Sequence, residues 1–404
     1  MKKHKLLIIL LALCLLCSGC QVETDKSGKT AGTSVTDVEP TATYDWMAEE
    51  SPVPNRRIGI VRVGISNAAH AVSPDGVYFL NYQSDGAYIL YVDHSSDTVI
   101  KLCGRPDCSH KGIDCNAFIT KGSKLTYYNG YLYSMAGSGS EEEASLLRID
   151  ADGSNHVEVL NLLAFAKENG GDYMRCDLIT DGICFFHTVH WVETEGDDPS
   201  YTTIKGEALD YYYYRLDGTM EEPALLQSGG ILYNCGNVTL SYSIEAKNDG
   251  MYGSYWSWDA KTDTLTYLTD HPGVPGYFDE TQGYYFKDGQ ICRLTYATQK
   301  EEVLAETGLT ERYVLISFPD CLVLASREDD ETIADKNLYF YNWDFELIDT
   351  IAIEYAHSLR IERLVIAETA ERVILSDDGA TPKYYIEKSE LGTGNAKVHK
   401  FQFS

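Results

Sequence analysis

Basic residues are scarce in this sequence. Its 404 residues include 61 Asp and Glu but only 33 Lys and Arg, which gives a formal net charge of −28 at pH 7. A surface with this charge repels nucleic acid and anionic lipid headgroups, so neither is expected as a partner. Any attachment to a membrane must therefore come from a lipid rather than from a basic patch.

Short catalytic motifs are also absent. The sequence contains no HExxH, GxSxG, Walker or GxGxxG pattern. No short sequence motif therefore indicates a hydrolase, a nucleotide-binding protein or a dinucleotide-binding protein. We therefore assign no catalytic residue from the sequence, and we expect no organic cofactor.

No apolar run is long enough to cross a membrane as a helix. The longest, Leu6 to Cys17, has 12 residues and follows the basic start Met-Lys-Lys-His-Lys, a pattern typical of a secretory signal peptide. The run ends in Leu16-Cys17-Ser18-Gly19-Cys20, which resembles the lipobox of bacterial lipoproteins. The resemblance implies cleavage before Cys20 and a lipid anchor on its thiol. An ordinary signal peptide cleaved nearby is the alternative.

These features divide the chain into three parts. Residues 1–19 are expected to be the signal peptide, and their removal takes away three lysines and no acid, which moves the net charge from −28 to −31. Residues 20–55 have almost nothing to bury and are expected to form a lipidated, flexible tether. Residues 56–404 are expected to form one ectodomain, on the outer side of the cytoplasmic membrane or on the outer membrane if the source has one.

The ectodomain has little helical periodicity. The exception is residues 160–169, where the pattern predicts a helix that ends at Gly170. Elsewhere, short runs rich in Tyr, Val, Ile, Leu and Phe alternate with Asp-Gly and Asn-Gly turns and predict strands. The runs recur as a unit of one turn and three strands, about 50 residues long, that starts seven times. We therefore predict an all-β ectodomain forming a single β-propeller of seven blades. Six or eight blades remain alternatives, because the fourth and seventh units depart furthest from the pattern.

Two units resemble known families. Ala71-Val-Ser-Pro-Asp-Gly-Val-Tyr-Phe79 is similar to the repeat of TolB-like propellers. Leu147-Arg-Ile-Asp-Ala-Asp-Gly-Ser154 is similar to that of uncharacterised propellers akin to those of low-density-lipoprotein receptors, and Tyr214-Arg-Leu-Asp-Gly218 is a weaker copy. The resemblance implies a propeller fold and often a binding role. It supplies no catalytic residues.

The most unusual segment is Cys103-Gly-Arg-Pro-Asp-Cys108-Ser-His110-Lys-Gly-Ile-Asp-Cys115, where three thiols and an imidazole lie within 13 residues. The order of these residues resembles a zinc knuckle, although the first spacing departs from that pattern, so zinc is one possible occupant. In an exported protein, a disulfide between two of the three cysteines is the preferred expectation, and free thiols are a third option.

Acidic loops form a second candidate site. In a propeller of this pattern, loops remote in sequence but equivalent in the repeat meet on one face, together with the cysteine segment and the longest insertion, residues 193–208. We expect a ligand, or a divalent cation, to bind on this face. The alternative is that these loops are acidic only because the whole protein is. The candidate residues are Glu141, Glu142, Glu143, Asp197, Asp198, Asp329 and Asp330.

These observations favour a surface-anchored, non-catalytic module that binds or scaffolds a protein, peptide or glycan. The alternative is a carbohydrate-active enzyme, because propellers host glycosidases and lyases whose acid and base come from scattered strands.

Overall fold

The structure is a computed structural model. It describes residues 69–84, 86–137, 144–171, 173–180, 182–194, 204–225, 231–235, 238–247, 250–259, 264–271, 276–279, 281–309, 313–326, 335–354 and 364–404. The proposed signal peptide and tether, with Cys20, lie outside these ranges, as do all seven acidic candidates. No helix within the described ranges has the length and apolar character needed to span a membrane.

The described residues form seven sheets, each built on four consecutive antiparallel strands. The first sheet contains β1 (His70–Val72), β2 (Gly76–Tyr82), β3 (Gly86–Asp93) and β4 (Thr98–Lys101), with β5 (Phe118–Thr120) added beside β3. The second contains β6 (Ser123–Tyr128), β7 (Tyr131–Ala136), β8 (Ser145–Asp150) and β9 (Val157–Asn161), followed by helix α1 (Leu162–Glu168). The third contains β10 (Tyr173–Thr180), β11 (Ile183–Thr194), β12 (Ile204–Arg215) and β13 (Ala224–Leu225).

The remaining sheets repeat the same order. The fourth contains β14 (Ile231–Cys235), β15 (Val238–Lys247), β16 (Gly250–Asp259) and β17 (Thr264–His271). The fifth contains β18 (Tyr277–Phe278), β19 (Gln282–Lys287), β20 (Gln290–Thr295) and β21 (Lys300–Glu306). The sixth contains β22 (Tyr313–Ser317), β23 (Leu322–Ser326), β24 (Asn337–Tyr341) and β25 (Leu347–Ala352). The seventh contains β26 (Val365–Glu368), β27 (Arg372–Leu375), β28 (Tyr384–Glu387) and β29 (His399–Lys400).

Contacts between neighbouring sheets arrange them in a ring. Strand β6 contacts both β1 and β10, β10 contacts β14, and β18 contacts β22. The Gln299 side chain of the fifth sheet donates to the carbonyl oxygen of Leu268 in the fourth, and a hydrophobic cluster joins the sixth sheet to the seventh. The ring closes because β26 of the last sheet contacts β1, and because the final strand, β30 (Gln402–Phe403), pairs in parallel with β4 of the first sheet. This all-β architecture is a β-propeller, as predicted. The number of blades stays a prediction.

The hydrophobic core is divided among the boundaries between neighbouring sheets. One cluster joins the first and second sheets through Leu80, Ile119 and Leu132. Other clusters join the second to the third, the fifth to the sixth and the sixth to the seventh. Val77 and Ile374 belong to the cluster that joins the seventh sheet back to the first. The first, second, sixth and seventh sheets each take part in two such clusters and are therefore buried on both faces, which explains why their strands are apolar with little alternation.

The predicted turns have clear physical causes. Asn129-Gly130 and Asp288-Gly289 each place two consecutive residues at positive φ, the conformation of a two-residue hairpin turn that matches strand twist. After the third strand of the second sheet, Asp152 Oδ1 accepts hydrogen bonds from the N–H and hydroxyl of Ser154. Asp217 and Thr219 repeat this arrangement in the third sheet. The Asp-Gly-Ser and Asp-Gly-Thr motifs are therefore side-chain-stabilised turns.

The structure changes three details of the sequence interpretation. Each sheet has a short first strand before the predicted turn, so the unit has four strands rather than three. The predicted helix 160–169 begins at Leu162, because residues up to Asn161 belong to β9 and Asn161 Oδ1 caps the helix by accepting from the N–H of Ala164. In the expected loop insertion 193–208, the described residues 193–194 and 204–208 are strand.

Candidate metal centre and connecting face

The cysteine segment folds back over the boundary between the first and second sheets. It leaves β4, passes through a short 3₁₀ turn at Gly112–Asp114, and returns as β5, whose residues Phe118–Thr120 pair with Gly86–Tyr88 of β3. The Gly112 N–H donates to the hydroxyl of Tyr88 at 2.7 Å. The segment is therefore an ordered part of the first sheet.

The four candidate residues converge. One ligand atom from each of Cys103, Cys108, His110 and Cys115 lies within 4.8 Å of the other three. Sulfur atoms bound to one tetrahedral zinc ion at about 2.3 Å would be about 3.8 Å apart, so the side chains are close to that arrangement. His110 Nδ1 lies 3.8 Å from the Sγ of Cys115. Sequence order alone therefore identified a true spatial cluster.

Backbone geometry holds His110 among the cysteines. Its φ of +54° is in the left-handed region, which non-glycine residues seldom occupy. Its N–H donates to Cys108 Sγ at 3.3 Å, and its carbonyl oxygen accepts from the ammonium of Lys101 at 3.2 Å. The conformation is therefore fixed by contacts on both sides of the residue.

The three thiols are unbonded to one another and differ in environment. Cys115 is buried, and burial raises its pKa to about 11. Cys103 is half-buried. Although this desolvation alone would raise its pKa, hydrogen bonds from the N–H groups of Arg105 and Asn116 and from the other two thiols bring it down to about 7. The segment can thus present a thiolate near neutral pH, the form that binds metals and attacks disulfides. The predicted disulfide stays a prediction.

The segment also contacts the second sheet. His156, in the turn between β8 and β9, places Nε2 2.8 Å from the carbonyl oxygen of Asn116. Cys115 belongs to the hydrophobic cluster that joins the two sheets, and Cys103 and Cys108 pack against that cluster. Because His156 is 40 residues from its partner, this link could not be identified from local sequence patterns.

The second candidate site, the acidic loops, is expected on one side of the ring. Because the strands of each sheet are antiparallel and consecutive, the loop between second and third strands emerges at the same strand ends as the connection to the next sheet. We call this side the connecting face. The cysteine segment begins and ends there, as do the described strands that flank residues 138–143, 195–203 and 327–334, and these three ranges contain the seven acidic candidates. Their positions and contacts lie outside the described residues.

The hairpin of β11 and β12 extends beyond its neighbouring strands at the connecting face, and we call this extension the ribbon. Strands β11 and β12 have 12 residues each, against six each for β7 and β8 in the preceding sheet. Neither β10 nor β13 reaches the outer pairs, so His190–Thr194 and Ile204–Ala208 pair only with each other among the described strands. Five residue pairs extend the ribbon by about 17 Å. At its base, His190 Nδ1 lies 2.9 Å from the carbonyl oxygen of Gly170, and Nε2 lies 2.9 Å from Asp210 Oδ2.

A carboxylate held by two phenols lies near the same strand ends in the sixth sheet. The hydroxyls of Tyr313 and Tyr339 each donate to Asp335 Oδ2 at 2.5 Å. Burial, and then the hydrogen bond to this carboxylate, raises the pKa of both tyrosines. Both phenols therefore stay protonated donors and order the start of β24. The sequence interpretation missed this group because Tyr313 is 22 residues from Asp335, although Tyr339 is only four residues from it.

Comparison with known proteins identifies no family. No family model and no curated protein matches the sequence. Among solved structures, the chain is similar to the computationally designed Ika8 protein, at 14% identity over 86% of this chain and 99% of that one, with a TM-score of 0.36. It is similar to BamB from Moraxella catarrhalis at 10% identity over 77% and 82%, with a TM-score of 0.34. It is similar to TolB from Acinetobacter baumannii at 12% identity over 69% and 52%, with a TM-score of 0.26.

BamB and TolB are β-propeller proteins, but similarities this distant carry no argument about function. The β-propeller assignment rests on the seven consecutive sheets and on the contacts that close their ring.

Proposed function

We propose that the chain is an exported lipoprotein, anchored through Cys20, whose β-propeller is a non-catalytic binding or scaffolding module. The ligand is a protein, peptide or glycan, and it binds on the connecting face. The acidic loops supply negative charge that favours a basic or cation-bearing ligand.

The observation that supports this proposal most strongly is the β11–β12 ribbon. An isolated two-stranded ribbon is marginally stable in water, and unpaired strand edges favour pairing with another chain. A propeller needs no such extension to close its ring. The ribbon therefore resembles a structure maintained for contact with a partner.

Deleting the ribbon tests the proposal directly. Replacing residues 191–207 with Asn-Gly joins the paired residues His190 and Ala208 through a favoured two-residue turn. The circular dichroism spectrum and the melting temperature should be retained, while capture of partners from surface extracts and binding to defined glycan and basic-peptide arrays should be lost. Changing the seven acidic candidates to serine should weaken the same binding and reduce its salt sensitivity.

The control removes charge from the opposite side of the ring. Glu221 and Glu222 are exposed in the connection between β12 and β13, and changing both to serine should leave binding intact. Binding that survives ribbon deletion but is lost in this control would show that the opposite side is the binding face. Hydrolysis of a glycan substrate by the purified protein would instead favour the carbohydrate-active enzyme.

A further inference from the structure

We propose that Cys103, Cys108, His110 and Cys115 bind one Zn²⁺ ion and that the ion has a structural role. Zinc prefers four tetrahedral sulfur and nitrogen ligands in structural sites, and a catalytic site leaves one position open for water or substrate. Here the protein offers four ligand atoms, all within 4.8 Å of one another. Such a site is closed once the ion binds.

A metal ion uses every member of the cluster, whereas a disulfide does not. A bridge between any two cysteines leaves the third thiol and the imidazole without a role. His110 is the informative member, because a disulfide gives no reason to hold its backbone at φ +54° and its Nδ1 3.8 Å from Cys115 Sγ. The backbone N–H donated to Cys108 Sγ is also the kind of contact that orients a thiolate ligand around a metal.

The coordination chemistry is balanced without a further reactant. Each cysteine thiol releases its proton to solvent and forms one Zn–S bond, and the neutral imidazole forms one Zn–N bond through a ring nitrogen. Three thiolates and Zn²⁺ leave a net charge of −1. No electron is transferred, so the site needs no oxidant, whereas the disulfide needs one.

The position of the cluster explains what the ion would stabilise. Cys115 is 2% exposed and packs in the core between the first and second sheets. Three residues later, β5 covers the part of β3 that the short strand β4 does not reach. An ion at this point would fix the fold-back of the segment, and with it the boundary between the two sheets.

The experiment measures metal in the mature protein, extracted in detergent without chelator or added metal. Elemental analysis should find about one zinc per chain. After chelation, Co²⁺ should restore thiolate-to-cobalt charge-transfer absorption, and competing Zn²⁺ should abolish it, while Mg²⁺ should not. Removing zinc from the wild-type protein should lower its melting temperature, and Zn²⁺ should restore it. These measurements need no variant to fold.

Variants locate the ion. Cys108→Ser and His110→Ala should each reduce zinc affinity at least about tenfold, given that even supporting residues around such sites have effects of this size. His156→Ala is the matched control, because it removes another imidazole beside the segment without removing a ligand. Cys292→Ser removes a buried thiol in the fifth sheet. Both controls should keep a full complement of zinc.

Any of three results would overturn the proposal. The first is a disulfide between two of the three cysteines in non-reduced peptides, found by mass spectrometry in protein that takes up no zinc after reduction. The second is alkylation of all three thiols at the same rate with and without added Zn²⁺. The third concerns the variants. Zinc that is retained in both ligand variants would place the ion elsewhere in the protein.

Discussion

A buried ion pair lies within the seventh sheet, beside an exposed carboxylate of the sixth, and its disruption should destabilise the protein in a pH-dependent way. The ammonium of Lys388 contacts the carboxylate of Glu368 and lies 2.8 Å from Asp320 Oδ1. The side chains of Lys388 and Glu368 are 7% and 3% exposed, whereas Asp320 is 51% exposed. Burial raises the pKa of Glu368 to about 7, although Lys388 opposes this shift.

The perturbation is Lys388→Met, which keeps most of the apolar stem and removes the charge. At pH 8 it leaves the Glu368 carboxylate buried without a cation. Breaking a buried pair in this way costs about 3–5 kcal/mol, and we expect the free energy of unfolding to fall by about 3 kcal/mol.

The sign of the pH dependence follows from the pKa of Glu368. Because this pKa is higher in the folded protein than the ordinary value of 4.5, the folded state binds the proton more tightly. The contribution of this group to stability therefore falls as pH rises from about 4.5 to about 7. Without Lys388 the pKa should rise further. The loss caused by the substitution should shrink at pH 5.5, where Glu368 is protonated and needs no cation.

Urea unfolding followed by tryptophan fluorescence at pH 5.5 and pH 8 measures both effects. The double variant Lys388→Met with Glu368→Gln should recover most of the stability lost at pH 8. Lys287→Met is the control, because its pair with Glu301 is largely exposed and should change stability by less than about 0.5 kcal/mol. A loss of equal size at both pH values, or no loss at pH 8, would refute the reasoning.

The other predictions concern the anchor, the tether, the helix and the closure of the ring. Cys20→Ala should abolish labelling with fatty acid and partition into detergent, and unchanged labelling would contradict the lipid anchor. Limited proteolysis should trim only residues 20–55, and a stable fragment half the size of the ectodomain would contradict a single domain. Asn161→Ala removes the helix cap and should cost about 1 kcal/mol in urea unfolding; a change below about 0.3 kcal/mol would argue against capping. Phe401→Ala, at a position 2% exposed between the last and first sheets, should cost about 3–5 kcal/mol. Phe403, which is 54% exposed, provides the control, since its replacement by alanine should cost far less.

Local sequence patterns predicted the features whose causes are local. Asp-Gly and Asn-Gly turns, the helix that ends near Gly170 and the cysteine segment all depend on residues within about 15 positions of one another. The first strands were missed because stretches of only two to eight residues ahead of a turn have no distinctive hydrophobic period. The ribbon was missed because strand length depends on pairing, and a polar segment such as residues 204–208 becomes a strand only beside its partner. The Lys388 pair and the His156 contact join residues 20 and 40 positions apart, and no spacing rule indicates them.

The first sheet shows why the cysteine segment matters to the whole ring. Its outer strand β4 has only four residues, and it pairs with β3 only at Leu90–Val92. The strand β5, held by the cysteine segment, covers Gly86–Tyr88, while the C-terminal strand β30 pairs with Thr98–Val99 of β4. Two strands from distant parts of the chain therefore complete the sheet at which the ring closes. Losing β30 would remove one of the contacts that close the ring, whereas loosening the cysteine segment would expose only one part of an edge. A metal ion at Cys103–Cys115 would therefore stabilise local structure at this boundary, and ligand binding at the β11–β12 ribbon, two sheets further along the chain, would not require it.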